Sequence, residues 1–274
     1  MIKVLYHAGC FDGFCAAWLC SKVMGPDAEY IPVQYGTMFP SFESEDEVFI
    51  VDFCYPFDDA IVDGLTDIAN KVQCLTIIDH HKSAKDALEG IKLPGNSEVI
   101  FDMEKSGARL VQEYFKLPAH WLIDYTEDRD LWRWSLGNSK EVNAGLRLFE
   151  MDFHVWDKLV LAEVEQAGVL LNKYLTRKCE ALAKKATTHR LCGTGIQAVN
   201  CTDADLISET AGMLAEQSEI GIGATFFYDG ENNVYVYSLR SRKDTDCLYM
   251  AKHYGGGGHP KACGFSVKEL LNGH

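Results

Sequence analysis

The apolar, β-branched run Gln73-Cys74-Leu75-Thr76-Ile77-Ile78 ends abruptly in Asp79-His80-His81. Such a run reads as a buried strand. The three ionisable residues then fall at its carboxyl end, the edge of an open parallel sheet at which ligands bind. One carboxylate and two imidazoles there can form one side of a metal site.

The surrounding pattern supplies the sheet. Ile2 to Tyr6 reads as a strand, His7-Ala8-Gly9-Cys10-Phe11-Asp12-Gly13 as a turn, and Phe14 to Met24 as a helix. Strands are expected at Ile31 to Val33 and at Val48 to Val51, the latter ending in Asp52. Asp58 to Asn70 has helical spacing, with Ile61, Val62, Leu65 and Ile68 on one face. A weaker strand, Val99 to Phe101, precedes a helix from Ser106 to Phe115. This alternation is the βαβ signature of an α/β fold, here an N-terminal, mainly parallel sheet flanked by helices. Right-handed crossovers place the strand ends at His7, Asp52 and Asp79-His80-His81 along one edge.

From Leu117 to about Lys185 the pattern is helical, long enough to connect two domains. A smaller C-terminal α/β unit with a mixed sheet follows. Its strands are expected at Gly195 to Val199, Ile222 to Tyr228 and Val234 to Leu239, and its helices at Leu206 to Gln217 and Asp246 to His253. The hairpin signal is Asp229-Gly230-Glu231-Asn232-Asn233. The expected division is 1–155, a helical connector over 156–188, and 189–274.

A net charge of −14 argues against a broad grip on duplex DNA, though not against a short nucleic acid held by cations and a few Arg. The ten Cys include no CxxC pair and read mostly as reduced, buried thiols. No apolar run approaches the ~20 residues of a membrane span. The N-terminus enters a strand at once, without a signal-peptide pattern, so a cytoplasmic location is expected.

Three constellations carry chemistry. His7, Asp12, Asp52, Asp79, His80 and His81 lie at or just past strand ends. A single Asp after a strand is more often a turn former or helix cap. Three strand ends bearing ligand types point instead to Mn²⁺, Mg²⁺, Fe or Zn, and to two cations about 3.5–4 Å apart, as in phosphoryl hydrolysis. The second is Tyr125 to Trp134, where Asp128 or Asp130 offers another ligand and Arg129 and Arg133 hold partners or substrate. The third is Gly255-Gly256-Gly257-Gly258-His259, read as a loop whose consecutive N–H groups form an anion nest, with Arg240 as a bidentate phosphate ligand.

These motifs resemble those of the DHH phosphoesterase superfamily, whose named motif is Asp79-His80-His81. His7 to Gly13 resembles its first motif, Asp52 in Val51-Asp52-Phe53 its second, and Glu127-Asp128-Arg129-Asp130 its fourth. The glycine run with His259, Ala262 and Gly264, together with Ser238-Leu239-Arg240-Ser241, resembles the DHH-associated substrate-binding domain. The resemblance covers essentially the whole chain.

It implies a two-domain enzyme with two Mn²⁺ ions. One would be held by His7 and a bridging Asp52, the other by Asp12, Asp52, His80 and Asp128. Asp79 would orient a ligand from behind, and His81 would lie near the substrate phosphate. The second domain would close over the cleft and present His259, Arg240 and the nest of Gly256, Gly257 and Gly258. Cys10 departs from the pattern, because it stands where the family carries the first of two carboxylates. A thiolate is softer and shifts preference from Mn²⁺ toward Zn²⁺ or Fe²⁺. If Cys10 is no ligand, the first metal has fewer protein donors.

The expected activity is metal-dependent hydrolysis of phosphodiester or phosphomonoester bonds by attack of a metal-held hydroxide, with His81, Asp79 and His259 assisting. The expected substrates are short single-stranded oligonucleotides or small nucleotides; duplex DNA and membranes are not expected partners. The oligomeric state is left open between monomer and dimer. Two alternatives remain: an exopolyphosphatase-type enzyme, and a nucleotide sensor whose first metal site is degraded at Cys10.

Overall fold

The computed structural model describes residues 1–34, 38–54, 59–89, 92–242 and 244–271. Asp58, where one helix was expected to begin, lies outside the described residues, as do the side chains of Ile61 and Val62. The chain divides into two compact units, Met1–Gly168 and Val169–His274.

The first unit is built on five strands: β1 (Ile2–His7), β2 (Glu29–Val33), β3 (Glu47–Val51), β4 (Cys74–Asp79) and β5 (Ser97–Phe101). Their order is β2-β1-β3-β4-β5, and every neighbouring pair is parallel. Both faces are buried, which is why the strands read as near-continuous apolar runs. Val4, Phe49, Val51 and Ile78 pack on one face. There they meet Phe14, Trp18 and Leu19 of α1 (Phe11–Met24), Leu110 and Val111 of α4 (Gly107–Tyr114), and Leu122 and Ile123 of α5 (Trp121–Asp130). Leu5, Val48, Ile50, Leu75 and Ile77 alternate to the other face, against Leu65, Ile68 and Ala69 of α2 (Asp59–Lys71). Each fully buried Leu or Ile contributes about 1.5–3 kcal/mol.

Several elements depart from the sequence reading. Helix α1 begins at Phe11, not Phe14, so Phe11, Asp12 and Gly13 of the expected turn are helical. Asp12 then sits in its first turn, where a negative charge is favoured. A short α3 (Lys82–Leu88) follows His81 directly. The helical stretch after Leu117 resolves into α5, α6 (Ser139–Leu146), α7 (Phe153–Trp156) and α8 (Leu161–Ala183). It breaks after α5 because Trp132, Trp134 and Asn138 adopt left-handed backbone, with φ of 55°, 50° and 56°. The division between the units falls within α8.

The second unit has six strands: β6 (Thr187–Leu191), β7 (Thr194–Asn200), β8 (Ile222–Asp229), β9 (Val234–Ser241), β10 (Gly257–Gly258) and β11 (Ala262–Val267). Their order is β10-β11-β9-β8-β7-β6, with only β7 and β8 parallel, joined by α9 (Ala204–Gln217). Helix α10 (Leu248–His253) leads into β10. The glycine run is therefore not a loop throughout, since Gly257 and Gly258 pair with Gly264 and Cys263. Among the described residues, no helix is long and apolar enough to cross a membrane.

Candidate functional site

Because all five strands of the first unit run parallel, their carboxyl ends share one edge. His7 ends β1, Asp52 follows β3, and Asp79 ends β4 with His80 and His81 next. The strand order reverses between β1 and β3, and a crevice outside those ends is where such sheets bind ligands.

His80 Nε2 is the centre of the cluster. It lies 3.0 Å from Asp52 Oδ1, 3.4 Å from Asp130 Oδ2 and 3.6 Å from Asp12 Oδ2. The other Asp52 oxygen, Oδ2, faces His7 Nδ1 at 3.8 Å. The ligand sets here whose donor atoms lie within 4.8 Å of one another include Asp12, His80 and Asp130; His7, Cys10 and Asp52; and Asp52, Asp79, His80 and His81. Asp52 belongs to the last two and touches the first. Its φ of 53° is a left-handed conformation rare for a side-chain-bearing residue, of the kind held in place only by its surroundings.

Those surroundings are glycines and a helix N-terminus. A Cβ at Gly107 would lie 2.5 Å from Asp52 Cβ, so the start of α4 rests directly on Asp52. The Gly107 and Ala108 N–H groups donate to Asp12 at 2.6 and 3.0 Å. A Cβ at Gly13 would lie 2.4 Å from the His7 carbonyl oxygen, so α1 is pressed onto the end of β1. The sequence reading missed the roles of Gly107 and Ala108. The available signal was Ser106-Gly107, a helix cap just beyond a strand.

Asp79 is fully buried and faces backbone. Its Oδ1 accepts from the His80 N–H at 2.7 Å and pairs with His81 Nδ1 at 2.7 Å. This fixes the His81 ring. Burial works to lower the His81 pKa, but Asp79 outweighs it and the pKa is raised.

The structure brings Asp130, and not Asp128, to the cluster. Residues i and i+2 of a helix point about 200° apart, so the two cannot face one site. The Asp128 carboxylate instead accepts from Ser135 N–H at 2.8 Å, Ser135 Oγ at 2.6 Å and Leu136 N–H at 3.3 Å. Its carbonyl accepts from the Arg133 and Trp134 N–H groups. Asp128 thus holds the turn after α5.

Two buried carboxylates, Asp12 and Asp52, and the partly exposed Asp130 repel one another around one imidazole. Burial, then Asp52 and Asp130, push the Asp12 carboxyl well above the ordinary range. Burial and Asp52 raise Asp130 against the pull of His80. Burial opposes ionisation of Asp52 too, but the neighbouring His7 and His80 imidazoles outweigh it and hold that carboxyl well below the ordinary range. For His80, burial is outweighed by Asp130, Asp52 and Asp12, and the pKa rises. The Cys10 thiol is pushed well up by burial and by Asp52, Asp130 and Asp12. Asp52 Oδ2 and Asp130 Oδ2 are buried without a hydrogen-bond partner. Unpartnered buried carboxylate oxygens are costly. Divalent cations would supply both the missing partner and the missing positive charge, and the oxygen and imidazole donors suit them.

In the second unit, β9 pairs Arg240 with Ala262 of β11, and Ala262 exchanges backbone hydrogen bonds with His259. Arg240 and His259 therefore lie at one end of the sheet. Arg240 Nη2 donates to Ser208 Oγ at 2.6 Å and Nη1 to the Leu239 carbonyl at 2.8 Å. Part of the expected nest is taken up by the backbone itself. The N–H groups of Gly255, Gly256 and His259 are donated to the Lys252, Ala251 and Ala262 carbonyls. A Cβ at Gly256 would lie 2.1 Å from the Gly264 carbonyl oxygen, so close packing explains that glycine.

Residues 194–272 match the DHHA1 domain family. The matched stretch lies within the second unit. With it, the resemblance to DHH phosphoesterases read from the motifs is borne out. The chain is 28% identical to uncharacterised protein R106 of Acanthamoeba polyphaga mimivirus, over 97% of its own length and 68% of that protein's. It is similar in structure to an exopolyphosphatase-related protein from Bacteroides fragilis, with a TM-score of 0.59 and 15% identity over 98% of this chain and 87% of that one. It is also similar to PggH, a pGpG-specific phosphodiesterase from Vibrio cholerae, with a TM-score of 0.51 and 15% identity over 97% of this chain and 93% of that one. At this identity the two structures speak for the fold alone.

Proposed function

We propose that the chain is a metal-dependent phosphohydrolase, acting on phosphodiester or phosphomonoester bonds of short single-stranded oligonucleotides or small nucleotides. The observation that carries this reading is the disposition of Asp52, with one carboxylate oxygen toward His80 and the other toward His7. That is the arrangement expected of a bridge between two cation sites, one formed by Asp12, His80 and Asp130 and the other by His7 and Cys10. Cations of the Mn²⁺ or Mg²⁺ kind would neutralise phosphoryl oxygens and acidify water there.

The chain's own residues supply the rest. Asp79 keeps a proton on His81 Nδ1, and the raised His81 pKa favours an imidazolium that donates to a phosphoryl or leaving oxygen. Asp12 and Asp130, whose carboxyls are raised, hold negative charge only where a cation balances it. In the DHHA1 domain, Arg240 offers a fork for a phosphate and His259 a further hydrogen bond. Gly257 and Gly258 form the short strand that leads to His259. The pGpG-specific activity of one structurally similar protein agrees with a small nucleotide substrate.

The test is a substrate panel with added Mn²⁺: a linear dinucleotide, a short oligoribonucleotide, adenosine 3′,5′-bisphosphate and polyphosphate, read by product analysis. Turnover of the nucleotides that disappears in Asp52→Ala, with the variant still folded by circular dichroism, supports the reading. Turnover of polyphosphate alone replaces it with the exopolyphosphatase alternative. Stoichiometric nucleotide binding without turnover of any substrate replaces it with the sensor.

A further inference from the structure

Cys10 differs from the other cysteines in where its sulfur lies. Cys15 and Cys20 are buried in the core beneath α1, Cys54 in the core on the opposite face, and Cys247 and Cys263 in the core of the second unit. Cys10 belongs to none of these clusters. It occupies the residue before α1, with φ −111° and ψ 136°, and makes no capping hydrogen bond there. Ser, Thr, Asp or Asn would serve better as a cap. What the position does provide is proximity. Among the described residues, its sulfur lies within 4.8 Å of a ring nitrogen of His7 and a carboxylate oxygen of Asp52. Asp52 is 1% exposed, and its Oδ2, on the His7 side, is buried without a hydrogen-bond partner.

Nitrogen, sulfur and oxygen donors thus converge at the N-terminus of a fourteen-residue helix. Three protein ligands that leave a fourth position open are the pattern of a catalytic zinc site. The neighbouring set, Asp12, His80 and Asp130, has no sulfur and more oxygen. Thiolates select Zn²⁺ or Fe²⁺, whereas carboxylates suit Mn²⁺ and Mg²⁺.

We propose that Cys10 is a thiolate ligand, and that the His7–Cys10–Asp52 set takes a thiophilic divalent cation while the Asp12–His80–Asp130 set takes a harder one. This rests on reading the cluster as a metal centre. Binding exchanges the thiol proton for the cation: one S–H bond breaks, one S–metal bond forms, one proton is released, and nothing is oxidised or reduced.

The experiment is a Co²⁺ titration of the metal-stripped full chain, followed by near-ultraviolet absorption, with binding counted by equilibrium dialysis. A thiolate-to-Co²⁺ charge-transfer band is expected in the unaltered chain and is absent from Cys10→Ser and Cys10→Asp. In parallel, Zn²⁺ protects Cys10 from alkylation by iodoacetamide, mapped by peptide mass, and Mn²⁺ does not. Cys10→Ser weakens Zn²⁺ at this set by more than about 100-fold, the upper end of what losing even an outer-shell partner costs. Cys10→Asp retains two cations and favours Mn²⁺. Two cations bound with no band, or a band that survives in Cys10→Ser, overturns the thiolate assignment and leaves the metal centre standing. No cation bound at all overturns both.

Discussion

The Asp130 carboxylate comes within 3.4 Å of His80 Nε2, while Asp128, two residues earlier on the same helix, is spent on Ser135 and Leu136. The two acids should therefore fail in opposite ways. Asp130→Asn removes a charge from a repelling cluster. It is expected to leave the metal-free protein as stable or more so, and to weaken cation binding and hydrolysis about 100-fold. Asp128→Asn breaks charged hydrogen bonds in a buried turn. It is expected to cost about 1.5–3 kcal/mol, with cation affinity unchanged. Calorimetry beside a metal titration separates them, and a stable Asp128→Asn that no longer binds metal would reverse the assignment.

The raised Asp12 and Asp130 pKa values set a pH dependence. An acid whose folded pKa is raised opposes folding above its unfolded value of about 3.9, and the penalty grows until pH passes the folded pKa. His80, also raised, stabilises the fold below its unfolded value of about 6.5 and loses that contribution as pH climbs. Asp52, held low, acts oppositely and loses its contribution only in acid. Two raised acids and two raised His, His80 and His81, outnumber it, so the metal-free protein should weaken between about pH 4 and neutrality. A cation removes the penalty. At 100 times its dissociation constant it adds about 2.7 kcal/mol, or roughly 5–10 °C for a protein of this size. Thermal scans with and without Mn²⁺ should show that increment at pH 7.5 and little of it at pH 5. An equal increment at both would contradict the charge assignment.

Gly107 tests whether Asp52 is placed by the chain or finds its position freely. Gly107→Ala puts a Cβ 2.5 Å from Asp52 Cβ, far inside van der Waals contact, between a helix start and a strand end that cannot both yield. A loss of about 1–3 kcal/mol is expected from overpacking, with hydrolysis falling further than stability because the bridging carboxylate moves. Gly95→Ala, with nothing within 4 Å of the added methyl, is the neutral control. Unchanged kinetics in Gly107→Ala would mean that the Asp52 position is not critical.

What could be read in advance follows from periodicity. His7, Asp52 and Asp79-His80-His81 were legible because a parallel strand announces its carboxyl end by the residue at which the apolar run stops. The choice between Asp128 and Asp130 was not legible, since it depends on the phase of a helix whose last turn is set by left-handed Trp132 and Trp134. The contact between Asp12 and the Gly107 N–H joins residues far apart in the chain and leaves no local pattern. The glycine run misled for a related reason. Its composition reads as freedom, whereas Gly256 is glycine because the Gly264 carbonyl leaves no room.

That last distinction yields a test within the second unit. If Arg240 binds phosphate, Arg240→Ala should raise KM for a nucleotide about 10- to 100-fold, the effect of losing a charged hydrogen bond of about 1.5–3 kcal/mol, with kcat changed less. Gly256→Ala should act through folding instead. Its methyl would strike the Gly264 carbonyl and Phe265 Cβ, where a Cβ would lie at 2.1 and 2.5 Å, and so prise β10 from β11. The expected result is a lower melting temperature for the second unit. Once refolded at low temperature, the variant should keep near-normal KM, because the Gly256 N–H already serves Ala251 and not a ligand. A Gly256→Ala protein of normal stability that has lost affinity for nucleotide would restore the anion nest that the backbone hydrogen bonds argue against.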